Sequence, residues 1–191
     1  MSMYMIINVL SDNDIHDILE YPIRYDFIGL NDQDKKILFE DMFSEEVHDE
    51  ELESAILHWN SETVNGYNYH LEGAFQSMHF LLTGKPGMED TVYPSNFLLK
   101  PMHPAGEVGW GPASLFFSAE IREISSFLDK LNPGDLQERY HPETFQELRI
   151  YPLNYAWGPE DGKDLVSKFE QLKTFIAQVA KDNQGICITI R

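Results

Sequence analysis

Apolar side chains along this chain change period several times, and each change marks an element. Residues 3–9, MYMIINV, form a short apolar run rich in Ile and Val that predicts a buried opening strand. Ser11 and Asp12 follow as caps for a helix through Leu19. Helical spacing returns in DQDKKILFEDMF (32–43), with Ile37, Leu38, Met42 and Phe43 along its apolar side. It returns again in DEELESAILHWN (49–60), whose acids gather at the electropositive N-terminal end. A fourth helix fits LEGAFQSMHFLLTG (71–84). On its wheel Leu71, Ala74, Phe75, Met78, Leu81 and Leu82 form one broad stripe, with Glu72, Gln76, His79 and Thr83 along one edge. Phe80 faces away and needs a second element to cover it, and Gly84 is placed for a left-handed C-cap.

The second half reads similarly. NFLLK (96–100) and SLFF (114–117) fit short strands joined by a loop rich in Pro and Gly, and Ser118 stands where it can cap the helix that follows. DLQERY and PETFQELRI fit two brief helices, followed by the aromatic segment YPLNYAWG. From Asp161 to about Lys181 the 3–4 spacing of Leu165, Phe169, Leu172, Phe175, Ile176 and Val179 predicts the longest helix. GICITI closes the chain as a strand alternating around Cys187 and Thr189. About four strands interleaved with helices predict one α/β domain over 1–191, with a mixed central sheet flanked by helices.

Charge narrows the partners. The formal net charge is −18, from 32 carboxylates against 14 basic groups, so phosphate backbones and anionic membranes are repelled. Either the charge serves solubility, or it steers a basic protein partner. No apolar run approaches a membrane span, and no basic residue precedes Arg24, as a secretory signal would require. One cysteine, Cys187, allows no internal disulfide and no cysteine-rich zinc site. A cytoplasmic protein without cofactor or metal is expected.

Candidate chemistry is sparse. His79, beside Glu72 and Gln76 at the edge of an apolar stripe, fits either carboxylate-tuned acid–base work or a hydrogen-bonded core position. In PMHPAGEVGWGPAS, glycines 106, 109 and 111 could let a ligand approach the backbone, with Glu107, Trp110 and Pro112 nearby. The G-x-x-G-x-G spacing there matches neither a dinucleotide fingerprint nor a P-loop, and the loop contains no Lys. SEEVHDEELE packs six carboxylates around His48, and DNDIHD sets three beside His16, yet neither has the calcium-loop pattern. Cys187 falls in a buried strand, where a thiol is inert, and no G-x-S-x-G occurs. Tyr151, Tyr155 and Trp157 fit either a pocket lining or a packed loop.

Several motifs in order resemble the YfbM-like bacterial proteins, a family without known function. They are MSM before a strand, A-F-x-x-x-H-F-L-L-T-G at 74–84, G-W-G-P-A at 109–113, R-Y-H-P-E-T at 139–144, I-Y-P at 150–152 and the closing helix plus strand. The resemblance implies an αβα-sandwich type of fold. Where the family's central helix often reads A-W-H-G-L-H-Y-L-L-T-G, His79 matches and Gln76 replaces the first histidine. Ser114 stands where an arginine is usual, whereas Gly109, Gly111 and Pro112 match. The leading expectation is a non-catalytic interaction protein with a basic partner. The alternative is a small enzyme or ligand binder using His79, Glu72, Gly109, Trp110, Gly111 and Pro112.

Overall fold

In the closing strand, successive residues turn to opposite sides and meet different helices. Ile186 and Ile188 join one buried cluster, Cys187 the other. The computed structural model describes residues 3–27, 30–43, 50–59, 61, 68–107 and 109–191. Among them the order begins β1 (Met5–Leu10), α1 (Asp12–Glu20), a 3-10 helix (Pro22–Phe27), α2 (Asp32–Met42), α3 (Glu50–Leu57), β2 (Asn68–Glu72) and α4 (Phe75–Thr83). It continues through β3 (His103–Glu107), β4 (Pro112–Phe116), α5 (Ser118–Asp129), α6 (Pro133–Arg139), α7 (Pro142–Glu147), α8 (Asp161–Lys181) and β5 (Gly185–Ile190).

The strands form one sheet in the order β2-β1-β5-β4-β3. One face carries Ile7, Val9, Phe116, Ile186 and Ile188 beneath α4 to α8; the other carries Leu10, Ala113, Leu115 and Cys187 beneath α1, the 3-10 helix, α2 and α3. This is the expected α/β domain with helices on both faces. Among the described residues every strand pairing is antiparallel, and the parallel component is confined to an isolated bridge between Gly109 and Ile190. A mixed sheet was expected because helices separate the strands. Connections of several helices, such as α5 to α8 between β4 and β5, can return the chain from either end of the sheet, so interleaving does not set direction.

Three local expectations are corrected. LEGAFQSMHFLLTG is not one helix: Leu71 and Glu72 end β2, and α4 starts at Phe75. Glu72 adopts φ +47, a left-handed break that a helix interior does not accept. NFLLK is a series of turns, with Leu99 and Lys100 N–H both donating to the Asn96 carbonyl, although Phe97 and Leu98 are buried. The presumed loop before β4 contains β3, paired from His103 to Leu115. Gly84 is left-handed at φ +73, and Phe80 is covered edge-on by Phe145 of α7, both as expected. The acids Glu45 and Glu46, His48, and both end residues of the 49–60 reading, Asp49 and Asn60, lie outside the described residues. Among those described, no helix is long and apolar enough to cross a membrane.

Candidate functional site

Helix α4 turns Phe75, Met78, Leu81 and Leu82 into the core, and its polar side chains then act as staples. His79 is fully buried, and its Nε2–H donates to the Gly87 carbonyl at 3.0 Å. That bond leaves Nδ1 as the unprotonated nitrogen, and it meets no hydrogen-bond partner. Burial lowers the imidazole pKa, against the smaller opposing effect of the Gly87 bond, so the ring is neutral at neutral pH. Gln76 donates to the Pro86 carbonyl at 2.8 Å and accepts from Tyr151 N–H at 2.7 Å. Ser77 donates to the Tyr151 carbonyl at 3.0 Å. A primary amide both donates and accepts, so Gln76 bridges two loops to one helix.

Glu72 is exposed, and its carboxylate lies 3.0 Å from Lys168 of α8, whose ammonium holds the carboxyl below its ordinary range. It therefore pairs with a lysine on α8 and is not a helical neighbour of His79. The glycine segment belongs to the β3–β4 hairpin: Gly106 lies in β3 and Gly109 and Gly111 lie just before β4, at φ +51, +81 and +98. At Gly109 a Cβ would stand 2.5 Å from the Ile190 carbonyl oxygen, which accepts the Trp110 N–H at 2.9 Å. Close backbone approach was the expected use of this glycine; the backbone that approaches is the protein's own. Trp110 is 63% exposed, Glu107 is exposed, and Pro112 opens β4 opposite Glu107. His79 and the hairpin turn have separate neighbours, Gly87 for one and the end of β5 with Pro22 for the other.

Two polar constellations escaped the sequence reading. Glu120 accepts from Phe117 N–H at 2.8 Å through one oxygen, and the other lies 2.7 Å from His103 Nε2. Ser118 N–H and Oγ–H both donate to Asp12, each at 2.7 Å. An acid at the start of α1 thus caps α5 from across the fold, while Ser118 sits inside the helix it was expected to cap. Glu120, three residues after Phe117, was the one local signal of that cap. On the sheet face below α1, Asn8 donates to the Tyr25 hydroxyl at 3.0 Å. Burial raises the pKa of Tyr25 and, more strongly, of Cys187, which stays a thiol. Tyr140, also desolvated and facing Asp161, is pushed up to about 12 and donates to the Gly158 carbonyl.

The outer face of α2 is shaped differently. An open groove of about 750 Å³ is lined by Leu30, Asp34, Ile37, Leu38, Glu40 and Asp41. Asp34, Ile37, Leu38 and Asp41 follow i, i+3, i+4 and i+7 spacing, so an apolar patch lies between two carboxylates along one stripe. Ile37 is 58% exposed, and Met42 at the helix end is exposed as well. The α8 outer face has a smaller hollow, of about 550 Å³, lined by Ser167, Glu170, Gln171, Thr174, Phe175 and Gln178. Among the described residues, no group of three or more His, Cys, Asp or Glu is arranged to hold a metal.

Comparison with known proteins gives a family and a fold. The model of a domain of unknown function, DUF1877, matches residues 1–189. No curated protein matches. Among solved structures, the Escherichia coli protein of unknown function YfbM is similar at a TM-score of 0.61 and 16% identity, covering 100% of both chains. At that identity the likeness speaks to fold.

Proposed function

We propose that this chain, which belongs to the DUF1877 family of unknown function, is a non-catalytic binding protein for a basic protein partner. The carrying observation is the net charge of −18. Much of the basic complement is already engaged within the molecule: Lys168 with Glu72, Lys173 with Asp129, Lys163 with Glu160 and Arg24 with Asp17. The buried Lys35 ammonium donates to the Trp59 carbonyl. The remaining carboxylates leave a strongly negative outer field that attracts a positive surface and repels nucleic acid and anionic lipid. A cytoplasmic setting accords with the single, buried Cys187.

The rival reading, a small enzyme around His79 and the hairpin turn, has less support. His79 spends its proton on Gly87, Glu72 spends its charge on Lys168, and the turn folds onto β5. The test is affinity capture from cells that make the protein, with reconstitution of whatever co-purifies. A stoichiometric partner of high pI, released as salt rises, is the expected result. A partner of neutral or acidic pI, or capture insensitive to salt, overturns the reading.

A further inference from the structure

Building on that reading, we infer that the groove on α2 is where the partner docks, and that the docked element is a basic amphipathic helix. The stripe Asp34–Ile37–Leu38–Asp41 spans about two helical turns, enough to seat two or three anchor side chains of a facing helix. Helix α2 buries Lys35 and Phe39 and leans the half-buried Leu38 against the core, leaving Ile37 58% exposed beside it as an apolar surface with carboxylates on either side.

Charge complementarity selects the occupant. Asp34, Glu40 and Asp41 rim the apolar floor, and Lys36, the nearby cation, points its ammonium toward Glu40 at 3.9 Å. A helix with Leu or Ile at its centre and Lys or Arg one turn to either side satisfies floor and rim together. A second copy of this chain would bring the same carboxylates and be repelled.

The probe is a labelled synthetic Lys/Leu peptide with its leucines on one helical face, beside a peptide of equal composition with the leucines dispersed. Binding is read by fluorescence anisotropy at low and high salt, and melting curves verify that each variant folds. Ile37→Ser should weaken the amphipathic peptide about tenfold and leave the dispersed one unchanged. Asp34→Asn with Asp41→Asn should weaken binding and flatten its salt dependence, whereas Glu170→Gln on α8 should do neither. Equal binding by wild type and all these variants overturns the docking site while leaving a basic partner viable. A dimer in sedimentation that Ile37→Ser dissolves overturns it too, since a second copy would then cover the face. If a captured partner proves acidic, the underlying reading fails instead.

Discussion

His79, which its sequence pattern left open between acid–base work and a hydrogen-bonded core position, fastens a loop to α4 in three dimensions. Its Nε2–H fixes Gly87, and Gln76 one turn earlier fixes Pro86, so α4 holds the 85–87 segment at two points. Truncation to alanine should therefore act on stability, at about 1–3 kcal/mol, read from denaturant melts. His79→Gln, which can still donate to a carbonyl, should lose less. The same ring gives a pH dependence with a definite sign. Burial depresses its pKa, so in the window below the free-imidazole value of about 6.5 the unfolded chain binds more protons than the folded one. The stability from neutral His79 is present in full above that value and drains away as pH falls toward the depressed folded value. His79→Gln should flatten that acid limb relative to wild type, and an unchanged limb would assign the titration elsewhere. Gly109→Ala should also destabilise, because both φ +81 and the 2.5 Å approach to the Ile190 carbonyl oppose a Cβ.

At the scale of elements, legibility tracked how much each element owes to its own residues. Helix α8 has seven buried positions at helical spacing and was found nearly end to end. Strand β5, buried and alternating, was equally plain. Strands β2 and β3 were missed because neither shows an apolar run: NYHLE buries Leu71 alone and HPAGE buries Ala105 alone. They are edge strands, and their ladders with β1 and β4 decide their conformation more than their side chains do. NFLLK failed in the opposite sense, being apolar enough for a strand but buried through turns. The candidate site suffered most, since Glu72 and His79 seemed adjacent only while 71–84 read as one helix. Asp12's share in the α5 cap could not be foreseen, because it lies 106 residues from Ser118 in sequence. Asp12→Ala should cost about 1–2 kcal/mol, the usual range for a lost N-cap, in chemical denaturation. A cost near zero would show that Glu120 alone suffices at that helix end.

At the scale of the molecule, the proposed function requires surface charge to act on both folding and association, with opposite responses to salt. A chain at −18 repels itself, so screening should raise the melting temperature, by about 2–4 °C for each kcal/mol recovered. A basic partner should in contrast be captured more slowly as the attraction is screened. The most direct test of the basic-partner account is the association rate constant of the reconstituted complex at about 0.05 and 0.5 M salt. The account predicts a steep fall in that rate with salt while the free protein becomes more stable. A rate that does not change between the two conditions would contradict it and leave the negative surface with solubility as its role.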